Sequence, residues 1–319
     1  MPDRPRILVA TGPVDATADL VIDELNRRRV RLARVDTGAF PDSVTLSARV
    51  GADGWTGEIA SGSRAVRLEG LRAVYWRRPS AYPAEVAAPG PPRAFASREA
   101  RAGMGGVLYS LPHVTWMNHP HAIIACTKPT QLAAFVRAGL AVPDTWIGNV
   151  PERHGAFCAE GPTVSKTLGP ITYDGPDGYR VLYASRVPPE HYGDPRARAT
   201  ANLLQREVAE KVAEYRVAVV GERLFISELH ACGPYLDIRA VNADNVVYKS
   251  GTLPDVVQEA IRTVTRGFGL LFAAWDLLRD EEGTVWALEL NPAGQWAFTP
   301  DSDEICNAIA DHLEEAAHA

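Results

Sequence analysis

The segment from Leu271 to Asn291 constrains this chain more than any other. Two apolar, strand-like runs flank Asp280-Glu-Glu-Gly283, a turn sequence, so the segment is predicted to be a hairpin. In Val285-Trp-Ala-Leu-Glu-Leu-Asn291 a period of two puts Trp286, Leu288 and Leu290 on one face and Glu289 and Asn291 on the other. With an even-residue turn Asp276 pairs near Ala287 and joins the Glu289/Asn291 face, where cross-strand and diagonal neighbours lie about 5–8 Å apart. Two carboxylates that close repel unless something cationic sits between them. Hard oxygen donors of this kind suit Mg²⁺, which takes one or two carboxylates and adds phosphate oxygens. A solvated sheet face carrying unrelated polar residues is the competing reading of the same spacing.

Lys166 is the second signal. Lys and Arg total 33, yet the lysines are only Lys128, Lys166, Lys211 and Lys249, so a lysine inside a predicted strand stands out. In Thr163-Val-Ser-Lys-Thr-Leu168 it shares a face with Val164 and Leu168. A lysine so placed either snorkels to the edge or meets an anion. The loop that follows, Gly169-Pro-Ile-Thr-Tyr-Asp-Gly-Pro-Asp-Gly178, either covers phosphates with its backbone N–H groups or is simply a turn.

The rest of the chain supplies an α/β frame. Strands are expected at 6–10 and 31–36 around a helix at 16–29, and no GxGxxG or GxxxxGK[ST] follows the first strand. Alternating runs at 44–50, 55–60 and 64–68 predict an antiparallel meander. Val74-Tyr-Trp-Arg-Arg-Pro79 reads as a strand stopped at a surface, and 84–92 as a loop. Helices are expected at 93–111 and 122–138 around a strand at 114–118, with Gly139 closing the second helix. Further strands are predicted at 144–149, 163–168, 180–187, 216–221, 223–229, 270–279 and 284–291, with helices at 255–267 and 302–316.

Composition excludes several classes of function. A net charge of -6 gives no basic footprint for nucleic acid. No apolar run approaches the roughly 18 residues of a membrane span, and Met1 to Ala10 leaves no room for a signal peptide before the first strand. Four cysteines without CxxC spacing argue against disulfide frameworks and zinc knuckles. A cytoplasmic protein of about two domains at roughly 150 residues each is expected. His119-Pro-His121 lacks an acidic or cysteine partner and reads as a loop pair, and Trp76 and Trp296 as buried or half-buried aromatics.

Together these pieces resemble the ATP-grasp carboxylate ligases over nearly the whole chain, most strongly at Glu289-Leu-Asn-Pro-Ala-Gly-Gln-Trp296 with upstream Asp276. Within that superfamily the likeness is to the ligases that mature ribosomal peptides into microviridin-type graspetides. It is carried by Tyr75-Trp-Arg-Arg-Pro79, Trp116-Met-Asn118, Lys128-Pro-Thr-Gln-Leu132 and Ala138-Gly-Leu-Ala-Val-Pro-Asp-Thr145. Gln205-Arg-Glu-Val208, Tyr215-Arg-Val-Ala-Val-Val-Gly221 and Leu236-Asp-Ile-Arg239 add to it.

The resemblance implies an ATP-grasp fold of α/β subdomains: a pre-ATP-grasp domain at 1–118, a central lid at 119–202 and a C-terminal domain at 203–319, with ATP between the last two. It implies that Lys128 and Lys166 hold ATP phosphates and that Gln205 to Val208 form a hinge with Glu207 facing adenine. Arg216 and Arg239 would lie near the γ-phosphate and an acyl phosphate, and Asp276, Glu289 and Asn291 would hold Mg²⁺. The stretch from Val208 to Arg216 is one residue longer than expected and Ile238 replaces an aromatic, which leaves the ribose contact open. The implied reaction joins Asp or Glu side chains of a precursor peptide to Ser/Thr hydroxyls or Lys amines. The implied partners are a leader-bearing peptide with an acidic, Ser/Thr-rich core and a second copy of the chain. Arg77 and Arg78 are candidates to grip an acidic substrate segment. Two alternatives remain open at this point: a glutathione-synthetase-like ligase acting on small amino acids, and a nucleotide-binding regulator without turnover.

Overall fold

Runs apolar on both faces need cover on both sides, and the N-terminal strands have it. The computed structural model describes residues 5–62, 64–82, 93–169, 171–175, 178–231, 235–241 and 245–319. The chain opens with β1 (Ile7–Ala10), α1 (Ala16–Arg27) and β2 (Leu32–Val35). It continues through β3 (Val44–Gly51), β4 (Gly54–Ser61), β5 (Arg64–Arg67) and β6 (Ala73–Trp76). Next come α2 (Arg93–Ala100), α3 (Gly106–Tyr109) and β7 (Thr115–Met117). Strands β1, β2, β6 and β7 form a parallel sheet in the order β2-β1-β6-β7. Ile7, Val9 and Tyr75 pack towards α1 on one face, and Leu8, Ala10 and Val74 towards the β3–β5 meander and α3 on the other. The meander matches its expected antiparallel pairing. The expected helix at 93–111 is α2 and α3 joined through a π turn at Arg101–Gly105. The expected loop at 84–92 lies outside the described residues.

The expected helix at 122–138 is two helices, α4 (Pro120–Ala125) and α5 (Lys128–Arg137). Pro129 has no N–H for the Ala125 carbonyl, so the helix stops and restarts. Thr127 N–H and the Thr130 hydroxyl serve that carbonyl instead, at 3.0 and 2.8 Å. Gly139 follows α5 at φ +79°, the closing glycine the sequence indicates.

The central sheet contains β8 (Thr145–Gly148), β9 (Thr163–Lys166), β12 (Ser185–Arg186) and β13 (Asn202–Arg206), in the order β12-β9-β13-β8. Between β8 and β9 lies α6 (Pro151–Ala159), which the sequence reading missed. The Gly/Pro-rich loop after Lys166 contributes to a hairpin of β10 (Thr172–Gly175) and β11 (Gly178–Val181), so the strand expected at 180–187 is split. Because β13 pairs with both β8 and β9, this sheet runs past residue 202.

The last sheet is antiparallel, in the order β16-β15-β14-β17-β18. Its strands are β14 (Lys211–Val220), β15 (Arg223–Ala231), β16 (Val246–Ser250), β17 (Phe272–Asp280) and β18 (Val285–Asn291). Helices α7 (Asp255–Gly267) and α8 (Ser302–His318) complete the chain. On one face Tyr215, Val217, Trp275, Leu277, Ala287 and Leu290 pack with α5 and α7. On the other, Ala218, Val220, Phe272 and Ala274 pack with α8, while Arg216, Leu229, Asp276, Leu278, Leu288 and Glu289 line open cavities instead. That division places the site. Among the described residues no helix is long and apolar enough to cross a membrane.

Candidate functional site

Strand register brings the first three groups together. Arg216 on β14 pairs with Asp276 on β17, and Asp276 pairs with Glu289 on β18, one row across three strands. This corrects the expected pairing of Asp276 with Ala287. The register shifts between Asp276 and Leu277, so Leu277 opposes Ala287 and Leu288 is the extra residue of a bulge. The bulge also breaks the expected shared face of Trp286, Leu288 and Leu290. Leu290 turns to the core with Ala287, Leu288 lines the cleft, and Trp286 donates to Asp280 Oδ2 at 2.7 Å. The two carboxylates end up directly opposed, rather than diagonal.

Each carboxylate faces a cation. Arg216 Nη1 lies 2.6 Å from Asp276 Oδ1, and Lys128 Nζ lies 3.6 Å from Glu289 Oε1 while donating to the Thr167 carbonyl at 2.7 Å. Asn291 Nδ2 is 3.5 Å from Asp276 Oδ2. The carboxylates of Asp276 and Glu289 and the side-chain amide oxygen of Asn291 are all oxygen ligands, a set that fits a hard cation such as Mg²⁺. Among the described residues no group of three His, Cys, Asp or Glu side chains is placed to hold a metal. An ion here would therefore draw further oxygens from a ligand.

Lys166 Nζ donates to the buried Gln205 Oε1 at 2.7 Å, and Gln205 Nε2 donates to Thr145 Oγ1 at 3.1 Å. Above this pair opens a cleft of about 600 Å³ whose walls include Val208, Leu229, Leu236 and Leu278. A smaller cavity of about 100 Å³ shares Lys166, Gln205 and Leu288 with it and reaches Lys128, Arg216, Asp276 and Glu289. The result is a cleft with leucine and valine patches on its walls, continuous with a smaller cavity where Lys128, Lys166 and Arg216 meet Asp276 and Glu289. Glu207 lies in the cleft wall, but Arg186 grips its carboxylate with two bonds of 2.7 and 2.6 Å. The side chain of Arg239 lies outside the described residues, although its backbone belongs to the turn Ile238–Ala240.

The sequence reading missed Lys211, Glu214 and Asp237. Lys211 Nζ sits 2.5 Å from Glu214 Oε1 and 3.7 Å from the centre of the Tyr235 ring, inside the cleft. The scarcity of lysine was the available signal, since Lys128, Lys166 and Lys211 all reach these cavities. Asp237 accepts from Ala184 N–H at 3.1 Å, a contact between the C-terminal part and the central part.

Arg77 departs from the surface position expected of it. It is buried, with Nη1 on the carbonyls of Ala293 (3.2 Å) and Gly294 (3.0 Å) and Nη2 on Gln295 Oε1 (2.6 Å). Its Nε lies 3.4 Å from Asp15 Oδ2, so it is not available to grip a substrate. Arg78 is exposed and donates through Nε to the same Ala293 carbonyl at 2.9 Å. Gly294 is required here, because a Cβ would stand 2.3 Å from the Ala274 Cβ. Gly294→Ala is expected to cost about 1–3 kcal/mol of stability through overpacking, read as a lower Tm in a thermal melt.

Burial, reinforced by the neighbouring Lys128 ammonium, pulls Lys166 down to about 8, against the opposing pull of Glu289, Asp237 and Asp276. A phosphate bound there favours the ammonium form. Affinity for MgADP should therefore be level below pH 8 and fall above it by up to about tenfold per pH unit. Titrations between pH 7 and 10 would check this. Lys166→Arg, charged throughout, should remove the slope; an unchanged slope would assign it to another group.

Residues 6–124 match the family model described as the MvdD pre-ATP grasp domain. Among solved structures, the chain is similar to the macrocyclase MdnC of Microcystis aeruginosa MRC, bound with precursor peptide MdnA. The TM-score is 0.85 and identity 23%, over 97% of this chain and 99% of that one. It is also similar to a RiPP-associated ATP-grasp ligase of Chryseobacterium gregarium in complex with ADP and a leader and core peptide. There the TM-score is 0.82 and identity 20%, over 98% and 97% of the two chains. Macrocyclase MdnB of Microcystis aeruginosa MRC gives a TM-score of 0.77 and 25% identity over 96% and 98%. No curated protein matches the chain in sequence.

Proposed function

We propose that this chain, an ATP-grasp fold whose residues 6–124 are an MvdD-type pre-ATP-grasp domain, is an ATP-dependent ligase that closes rings in a ribosomal precursor peptide. The observation that carries the reading is the convergence of Lys128, Lys166 and Arg216 on the opposed Asp276 and Glu289 in the cavity that adjoins the cleft. The solved relatives bound to precursor peptides support the choice of substrate.

The chemistry follows from the substrate. A carboxylate resists attack because its leaving group would be oxide. Transfer of the ATP γ-phosphoryl group to an Asp or Glu side chain makes an acyl phosphate and ADP. A Ser/Thr hydroxyl or Lys amine then attacks the acyl carbon, and phosphate leaves with the bonding pair. Each ester or amide formed removes one water from the peptide. Such catalysis is mostly positioning and neutralisation of the transferring phosphoryl group.

In this reading Lys128 and Lys166 hold phosphates, and the backbone from Gln205 to Val208 meets the adenine edge, with Glu207 beside it. Arg216 faces the γ-phosphoryl group and Arg239 the acyl phosphate. Mg²⁺, held by Asp276, Glu289 and Asn291, would neutralise phosphate oxygens. A division near residue 118 and another close after the central sheet, which runs through Arg206 rather than ending at 202, a cytoplasmic location and a homodimer belong to the same proposal. Buried free thiols at Cys126, Cys158 and Cys306 are compatible with a reducing compartment.

An ADP-release assay separates this reading from its alternatives. With MgATP, ADP formation is expected only when a leader-bearing, acidic, Ser/Thr-rich peptide is added. ADP formed equally with free amino acids would mark a small-molecule ligase. ATP binding without ADP under any condition would mark a regulator.

A further inference from the structure

Three buried polar side chains from the first 140 residues grip the backbone at 290–294, which contains Asn291 and directly follows Glu289, and one of them also ties it to 271–272. Gln131, on α5, accepts from Leu290 N–H at 2.9 Å and donates to the Leu290 carbonyl at 2.8 Å and to the Cys126 carbonyl at 3.0 Å. Asn118, after β7, donates to the carbonyls of Phe272 (2.7 Å) and Pro292 (2.8 Å). It also accepts from the N–H groups of Leu271 (2.8 Å) and Phe272 (3.0 Å). Arg77, after β6, takes the carbonyls of Ala293 and Gly294. All three are under 5% exposed.

We propose that Gln131 is a positioning residue for the Glu289/Asn291 donor pair, and that Asn118 and Arg77 share the task. The inference rests on reading those donors as an ion site. Leu290 lies between them, its side chain in the core and its backbone N–H and C=O both bonded to the Gln131 amide. That amide does for Leu290 what a neighbouring strand would do, supplying one donor and one acceptor in a fixed plane. β18 is the edge of its sheet, paired with β17 through Asp276–Glu289, Trp275–Leu290 and Ala274–Asn291, so no further strand meets the outward N–H and C=O of Leu290. Gln131 takes that place on the side away from β17. The backbone between and just after the two donors is therefore held by residues that do not touch the ion. Partners of this kind typically set metal affinity by about 10–100-fold.

The test reads metal binding in the full chain, with Mn²⁺ as the probe and ADP saturating, by the loss of the free-Mn²⁺ electron paramagnetic resonance signal. Gln131→Met should raise the Mn²⁺ concentration for half-saturation about tenfold or more, while ADP affinity in EDTA stays within about twofold of wild type. Arg77→Lys keeps a charge beside Asp15 but loses the fork across two carbonyls, and should shift Mn²⁺ in the same direction by about threefold. It serves if Gln131→Met fails to fold. Ile59→Ala, in the distant β3–β5 meander, should lower Tm and leave Mn²⁺ binding unchanged. Wild-type Mn²⁺ saturation in folded variants overturns the proposal. So does an equal loss of ADP affinity with and without Mn²⁺, or a shift in Ile59→Ala as large as that in Gln131→Met. A wild-type protein that binds no Mn²⁺ with ADP would overturn the ion site itself and this inference with it.

Discussion

Glu289→Gln is expected to lower ATP-dependent turnover by about a hundred- to a thousandfold while the protein stays folded. The reasoning starts from the bulge at Leu288, which sets Glu289 directly opposite Asp276. Two carboxylates in register repel, and the fold tolerates them because Arg216 and Lys128 stand beside them. Removing one negative charge relieves that repulsion, and the lost Lys128 contact is long at 3.6 Å and partly exposed. Its contribution to stability is about 0–1 kcal/mol. Activity is another matter, because a neutral amide replaces one of the charged groups proposed to hold the ion against the phosphates. Transition-state charge stabilisation of this kind is commonly worth about 10²–10³ in kcat for a single group. ADP release and a thermal melt on the same preparation check both halves. Near-wild-type turnover with an unchanged Tm would remove Glu289 from the ion site.

Arg216→Met is the second large effect. The guanidinium lies 2.6 Å from Asp276 in the cavity proposed to take the phosphates. An arginine facing a transferring phosphoryl group is worth about 10³–10⁵ in kcat, whereas ADP, which lacks the γ-phosphate, gains little from it. Turnover should therefore fall by about 10³ with ADP affinity within severalfold of wild type. Arg216→Lys should recover only part of the loss, since it restores the charge without the planar fork. A loss lying entirely in KM, with kcat intact, would place Arg216 in ground-state binding instead.

Much of the frame was legible because its signals are local. Alternation and turn residues gave the β3–β5 meander and the β17–β18 hairpin, and the charged face of Glu289 and Asn291 was apparent from period two alone. The bulge was not, because an extra residue leaves no mark in a seven-residue strand of apolar and polar side chains. Helix α6 was hidden by its composition: Pro151 opens it, Gly155 sits inside it, and its buried face is His154, Phe157 and Cys158. Strand β16 is a short, half-exposed edge, which has little apolar pattern to read. Arg77 shows the firmest limit. A charge ending a strand reads as surface, and its partners at 293–295 lie more than 200 residues away in sequence. Gln131 and Asn118 are the same case, polar side chains whose roles exist only once distant backbone is brought to them.

The most direct measurement of the central claim is the intact mass of a leader-bearing, acidic, Ser/Thr-rich precursor peptide. It is taken after incubation with the protein and MgATP, beside a control without ATP. The account predicts loss of whole water molecules only with ATP, one ADP released per water lost, and fragment ions that place each bond between an Asp or Glu and a Ser, Thr or Lys side chain. An unchanged peptide mass across a panel of such precursors, with ADP released only on free amino acids or not at all, would contradict it.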